Sequence, residues 1–107
     1  MFARILVFEV KLDKKDEFVN AVRDRLLPIL KKQIGFLEFL PFLQKSKEEK
    51  VFTVSLWTTQ QDAENYEKHV YPEVIAVLKP YLLAPAVVSH WNLETTLCDR
   101  FVDALAV

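Results

Sequence analysis

The chain contains very little glycine and histidine, and each shortage excludes a class of function. Gly35 is the only glycine among 107 residues. Glycine-rich loops that bring backbone amides up to phosphates are therefore excluded, and with them the P-loop and dinucleotide-binding motifs. His69 and His90 are the only histidines, so one chain cannot build a three-histidine metal site. We accordingly predict neither a metal nor a cofactor.

The net charge is close to zero and cysteine is scarce, and both limit the choice of partner. With 14 basic and 15 acidic residues, the chain has no basic excess to neutralise nucleic-acid phosphates or to form a polybasic membrane patch. Cys98 is the only cysteine and cannot form an internal disulfide, which suits a reducing compartment. The apolar run in residues 1–12 is interrupted by Glu9 and is too short for a signal peptide or a bilayer span. We predict a cytoplasmic protein without membrane or nucleic-acid partners.

What the chain has in excess is apolar surface. Hydrophobic residues make up 51% of the sequence, and phenylalanine occurs 8 times. A chain of this length forms one domain, predicted over 1–107 with a core at about 2–97 and a C-terminal extension at 98–107. In that extension Phe101, Val102 and Leu105 would share one side of a short helix. The surplus of hydrophobic residues favours an oligomer or a ligand cavity.

The order of hydrophobic patterns predicts the fold. Alternating patterns indicate strands at 2–12, 36–44, 51–58 and 87–97. Helical spacing begins at Asp13 and again after Thr59, and both residue types are good N-caps. Two βαβ-like halves joined by a charged hairpin loop give an α+β, ferredoxin-like βαββαβ plait. Its four-stranded antiparallel sheet would carry both helices on one face.

Three of the predicted strands are apolar on both faces. The first places Phe2, Leu6 and Phe8 on one side and Ile5 and Val7 on the other. Helices cover only one face of such a sheet, so the second apolar face needs another cover. The pattern therefore predicts a homodimer that packs sheet against sheet.

Proline and glycine predict where the elements bend or end. Pro28 lies inside the first helical stripe and should bend or split that helix. Gly35 suits the left-handed residue after its end. Pro41 places the second strand at an edge or a bulge. Pro72 should end or kink the first piece of the second helical region.

Residues 52–82 carry a resemblance to a known family. Their sequence is FTVSLWTTQQDAENYEKHVYPEVIAVLKPYL. A strand ending in Trp57, a cap at Thr59, the acidic–alanine pair Asp62-Ala63 and an aromatic or histidine further on resemble the antibiotic biosynthesis monooxygenase superfamily of dimeric α+β barrels. The resemblance extends over about 2–97. It implies cofactor-independent oxygenation of small phenolic or quinol compounds in a pocket between sheet and helices.

Haem-degrading relatives in this superfamily use an asparagine in the first strand, a tryptophan after the third strand and a histidine on the second helix. Trp57 matches the tryptophan, and His69 approximates the histidine at a later spacing. The first strand contains no asparagine. This departure argues against haem binding or degradation, which is the weakest of the functional alternatives.

Four residues are the candidate site under this resemblance. Trp57 and Tyr66 would bind an aromatic substrate, and His69 or His90 would be the base that removes a phenolic proton. Each residue also has a purely structural explanation, because Trp57 could pack in the core and the histidines could lie on the surface. The functional alternative is a non-catalytic small-ligand-binding or stress-related module of the same fold.

The sequence leaves the role of Arg4 and the orientation of His90 undecided. Arg4 in the first strand could bind an anionic substrate, or it could pair with Glu9 or Glu38. His90 precedes Trp91 in the last strand, so the two side chains must point to opposite faces. One is expected to face the helices or a cavity and the other the dimer partner.

Overall fold

The computed structural model describes residues 1–45 and 50–98. The strands are β1 (Phe2–Glu9), β2 (Phe36–Leu43), β3 (Lys50–Trp57) and β4 (Val87–Asn92). The α-helices are α1 (Lys15–Ala21), α2 (Leu27–Lys31), α3 (Gln60–His69) and α4 (Tyr71–Leu78). The helix predicted in the tail lies outside the described residues, as does most of the charged hairpin loop.

The strands form one antiparallel sheet in the order β2-β3-β1-β4. This order confirms the predicted ferredoxin-like α+β plait. β4 is shorter than predicted and ends at Asn92. Beyond it, the Glu94 carboxylate accepts hydrogen bonds from the backbone amide of Thr96 at 3.2 Å and from its hydroxyl at 2.6 Å. This local turn takes the chain out of the extended conformation.

The first helical region is divided as Pro28 predicts. A π-helical turn (Val22–Leu26) separates α1 from α2, and Pro28 lies in the first turn of α2. Proline has no N–H to donate to the preceding turn, and the wider winding of a π-turn accommodates that loss. Asp13 is not the N-cap we predicted. It lies inside a 3₁₀ turn (Leu12–Lys14) that already turns the chain before α1 begins.

The structure confirms the predicted left-handed glycine and the predicted start and break of the second helical region. Gly35 has φ +81°, and a Cβ there would collide with the Asp62 carboxylate. The Thr59 hydroxyl accepts a hydrogen bond from the Asp62 amide at 3.1 Å and so caps α3. The helix breaks at Val70, and Pro72 then lies in the first turn of α4.

A β-bulge changes which side chains of β2 share a face. Phe36 pairs with Trp57, but Glu38 pairs with the next residue of β3, Leu56, so β2 has one extra residue at this point. Regular alternation along 36–43 would put Phe36 on the side opposite Phe39. The extra residue reverses the alternation and puts both on the same face. β2 is an edge strand, as Pro41 predicted.

The two faces of the sheet differ in their surroundings. The covered face is the side on which the even-numbered residues of β1 pack against the helices. Its core members from the sheet side are Phe2, Leu6, Phe8, Val10, Val51 and Trp57, and from the helical segments Phe18, Ala21, Leu26, Leu30, Ala63, Tyr66, Val74 and Leu78. The open face carries the alternate residues, and its apolar members are Ala3, Ile5, Val7, Leu40, Phe42, Phe52, Val54, Leu56, Val87 and Trp91. Among the described helices, none has the length and apolar character of a membrane span.

Candidate functional site

A small cavity lies between the covered face and the helices. We call it the inner cavity; its volume is about 20 Å³. That is roughly the space that one water molecule needs. Its polar lining residues are Arg4, Thr53, Ser55, Tyr66 and Tyr71, and its apolar ones include Leu6, Leu26, Phe39 and Val74.

Arg4 is the most deeply buried charged residue at this cavity. It is 2% exposed, because its even position on β1 directs it under the helices. Its guanidinium carbon lies 4.6 Å from the ring centroid of Tyr71 and 5.2 Å from that of Tyr66. Two aromatic faces at this distance attract a cation and hold its plane in place.

The partner of Arg4 is not the one that the sequence suggested. Its Nε lies 3.6 Å from Oε2 of Glu67 on α3. The predicted pairing with Glu9 or Glu38 is wrong, because strand alternation and the bulge put both of those carboxylates on the open face. Glu67 was not singled out from the sequence, since its helical position alone does not reveal that it faces β1.

Two donor groups of Arg4 are left unpaired. Nε and Nη2 are buried, and within the part of the chain that the structure describes neither has a hydrogen-bond acceptor. An unsatisfied buried donor is costly, and more so on a charged group. The guanidinium is therefore held in place by packing and a long ion pair, while part of its hydrogen-bonding capacity is unused.

Glu67 connects this buried cation to His90. Its Oε2 lies 2.8 Å from Nε2 of His90, which is on the covered face of β4 opposite Arg4. The His90 side chain is 44% exposed, and its ring stacks against Phe2 with centroids 5.9 Å apart. One carboxylate oxygen thus lies between a buried guanidinium and an imidazole that reaches solvent.

The two tyrosines beside Arg4 stay protonated at neutral pH. Burial raises the pKa of Tyr66 to about 12, although the positive charge of Arg4 partly opposes the rise. Burial also raises the pKa of Tyr71, again against the effect of Arg4. Both hydroxyls are therefore suited to donate hydrogen bonds and unsuited to act as proton acceptors.

Trp57 lies directly behind Tyr66. It is 0% exposed, and its indole N–H donates to the Ser55 hydroxyl at 3.0 Å. Its ring lies 5.0 Å from Tyr66 and meets Phe36 edge-on at 5.7 Å. Trp57 is not among the residues that line the inner cavity, so it fixes the position of Tyr66, which does line it.

The structure separates the two candidate histidines. Neither histidine is among the residues that line the inner cavity, and His69, the last residue of α3, is exposed. His90 contacts Glu67, which itself contacts Arg4. As expected from alternation, His90 and Trp91 point to opposite faces, with His90 on the side of the helices. A catalytic role for either histidine remains a prediction.

An apolar groove adjoins the inner cavity. This outer groove has a volume of about 310 Å³ and shares Phe39 and Thr53 with the inner cavity. The π-turn contributes Val22 and Arg23 to it, and α2 contributes Leu27. Its remaining lining residues are Phe18, Val19, Pro41, Leu43 and Val51. We refer to these two adjacent spaces as the compartment; its outer part is apolar, and its inner part is lined by a cationic group.

Comparisons with known proteins agree with this fold. The profile of the family described as antibiotic biosynthesis monooxygenase matches residues 1–75. No curated protein matches the chain by sequence.

Solved structures of the same shape come from several bacteria. The chain is similar to SnoaB, a cofactor-independent oxygenase from Streptomyces nogalater, with 17% identity over 92% of this chain and 97% of that one, and a TM-score of 0.74. It is also similar to the ActVA-Orf6 monooxygenase of Streptomyces coelicolor, solved with nanaomycin D, with 16% identity over 87% of each chain and a TM-score of 0.73. At these identities the likeness shows the fold alone.

Proposed function

The chain belongs to the antibiotic biosynthesis monooxygenase family, and from this premise we propose that it is a homodimeric, cofactor-independent monooxygenase of small phenolic or quinol compounds. The observation that carries the proposal is the compartment on the covered face. It combines an apolar groove of about 310 Å³, which suits an aromatic body, with an inner end where Arg4 and two protonated tyrosines meet. Apolar walls with a few convergent polar groups are typical of small-molecule sites.

The proposed reaction needs no external reductant, because the substrate supplies the electrons. A phenol loses its proton, and the resulting phenolate transfers electrons to dioxygen, so that a ring carbon forms a C–O bond to oxygen. The O–O bond then breaks, the hydrogen on that carbon leaves as a proton, and water departs. Phenol and dioxygen thereby give a quinone and water. The protein has to stabilise the phenolate, exclude water and accept one proton.

The residues of the site divide these tasks in the proposal. Arg4 stabilises the phenolate by its charge, and Tyr66, with Trp57 packed behind it, contacts the phenolate oxygen in the inner cavity. Glu67, which contacts Arg4 from outside the cavity lining, passes the proton to His90, and the partly exposed ring of His90 releases it to solvent. His69, exposed at the end of α3, is the second candidate base and serves as the matched comparison.

Oxygen consumption tests this proposal. The purified protein is incubated with phenols and hydroquinones of one and two rings under ¹⁸O₂ and in the presence of a chelator. We expect one labelled oxygen atom in the organic product and the other in water. Replacing the proton acceptor should lower turnover by about 10²-fold, so His90→Ala should lose activity while His69→Ala keeps it.

The histidine variants and the oxygen measurement together decide between three outcomes. Loss of activity in His69→Ala with normal turnover in His90→Ala would transfer the role of base to His69. Unchanged turnover in both variants would reject this mechanism. A protein that binds the aromatic compounds and consumes no oxygen in their presence would be a binding module and not an oxygenase.

A further inference from the structure

We infer that Arg4 is a receptor for an anionic oxygen, and that the natural ligand is an aromatic molecule that presents a phenolate or a carboxylate to it. This inference deepens the proposed function and rests on it for the aromatic body of the ligand. The receptor itself rests on the geometry around Arg4.

Two N–H donors of Arg4 are available to a ligand. Nε and Nη2 carry positive charge, are buried, and have no acceptor among the described residues. The rings of Tyr66 and Tyr71 hold the guanidinium by their faces, which leaves its N–H edges for hydrogen bonds. An anionic oxygen supplies both missing acceptors and charge compensation, and charge-assisted hydrogen bonds of this kind are strong.

The local charge balance leaves room for a ligand charge. Glu67 is the one acidic group in contact with Arg4 that the structure describes, and its Oε2 lies closer to His90 than to Arg4, at 2.8 Å against 3.6 Å. Both tyrosines are neutral, because burial raises the pKa of each hydroxyl. Arg4 is therefore only partly compensated by the protein, and an anion is attracted where a cation or a neutral amine is not.

The volumes of the two spaces define the shape of the ligand. The inner cavity of about 20 Å³ accepts an atom of the size of a water oxygen and excludes a ring. The outer groove of about 310 Å³ is larger than the roughly 150 Å³ that accommodates benzene in a protein interior. One or two fused rings in the groove with one anionic oxygen in the inner cavity match both spaces.

Binding of 4-nitrophenol without oxygen tests the inference independently of catalysis. The phenolate absorbs visible light and the phenol does not, so the protonation state of the bound probe is read directly. We expect the wild-type protein to lower the apparent pKa of the bound probe by about 1 unit or more, since a cation in contact favours the anion. Arg4→Met should abolish this shift and weaken binding about 10- to 100-fold.

Matched variants locate the effect. Arg4→Met should stay folded, because replacing a buried charge with an apolar side chain of similar size is commonly tolerated. Arg4→Lys keeps the charge without the planar fork and should retain part of the shift. Arg25→Met removes the same charge from an exposed position on the π-turn and should bind like the wild type. Arg23→Met tests the exposed arginine of the outer groove.

Competition between the probe and other aromatic compounds shows which anionic group the receptor binds. Benzoate displacing the probe, with its neutral analogue benzamide failing to do so, assigns the receptor to aromatic anions in general. Failure of benzoate alongside binding of nitrophenolate assigns it to phenolates; either result supports the inference. Equal displacement by benzamide, an unshifted probe, or a shift that survives Arg4→Met and disappears in Arg23→Met would overturn it. Absence of oxygen uptake with an intact Arg4-dependent shift would refute the oxygenase proposal alone.

Discussion

The same Ser-x-Trp pattern occurs on both faces of the sheet, but its tryptophan is buried on one face and exposed on the other. On β3, the Trp57 indole donates to the hydroxyl of Ser55, two residues earlier, at 3.0 Å. On β4, the Trp91 indole donates to Ser89 at 2.8 Å in the same way. Trp57 is 0% exposed and Trp91 is 57% exposed. The local conformation is shared, so the difference arises from what covers each face.

The distribution of polar groups is the reverse of that expected for a monomer. The covered face buries Arg4, Thr53 and Ser55 next to a cavity. The open face exposes large apolar side chains, with Phe42 at 54% and Phe52 at 41%. Polar groups under cover suit a ligand, whereas apolar groups without cover suit a second protein surface. We therefore interpret the covered face as the binding face and the open face as the dimer face.

The largest expected effect comes from truncating each tryptophan. Trp57→Ala should lower the free energy of unfolding by about 3–5 kcal/mol, because it removes a fully buried ring that contacts Phe36 and Tyr66. Urea titration at several protein concentrations measures this. The loss should be independent of concentration, since the ring is buried within one subunit.

Trp91→Ala supplies the contrast to that result. If Trp91 is buried only between subunits, its truncation should weaken a concentration-dependent part of the stability and leave the subunit fold intact. A loss in Trp91→Ala that is as large as in Trp57→Ala and equally independent of concentration would contradict the division between the faces.

A charge on the open face should separate the subunits. Phe52→Glu places a carboxylate in the middle of the proposed interface, where an unpaired buried charge costs about 3–5 kcal/mol and weakens association at least about 100-fold. Analytical ultracentrifugation at micromolar concentration should show a monomer. Leu12→Glu is the control, because Leu12 is 52% exposed in the 3₁₀ turn and away from the sheet. A dimer that persists in Phe52→Glu would argue against the open face as the interface.

The smallest effect concerns the covered face and appears in alkali. Tyr66 keeps its proton up to about pH 12 in the folded protein, against 10.0 for an ordinary tyrosine. The unfolded chain therefore loses this proton first, so stability that is complete below about pH 10 is lost progressively toward pH 12. A shift of this size corresponds to roughly 2–3 kcal/mol at most.

Tyr66→Phe should remove that part of the alkaline destabilisation. Urea midpoints of the two proteins should fall with different steepness above about pH 10 and in parallel below it. The same steepness in both proteins would mean that Tyr66 is not shielded from water in the way the covered face requires.

The sequence alone was sufficient to predict the fold. Period-2 alternation located the strands, and Pro28, Gly35, Pro41 and Pro72 marked where elements bend, turn or end. Those signals are local, and the structure confirms each of them. The bulge in β2 was missed because residues 36–43 are apolar on both faces, so the sequence carries no mark of a change in alternation; pairing with β3 decides its presence.

The candidate site was only partly predictable. Trp57 and Tyr66 were found through a family resemblance, and they do lie together. Glu67 was missed, and the partner of Arg4 was assigned wrongly, because that contact joins residues 63 positions apart through the packing of α3 on β1. An arginine at an even position of a strand whose other even residues are apolar was the available signal for a buried charge.

Pro41 on the outer strand has a further consequence for how copies of the chain meet. Edge strands tolerate proline when its missing N–H falls on the solvent side, and an edge that lacks a donor is a poor template for another strand. The opposite border, β4, spans just six residues, and short borders also discourage such growth. For the proposed dimer this means that copies would stack back to back, an arrangement that closes after two, and would not grow into the open-ended ribbons that lead to fibrils.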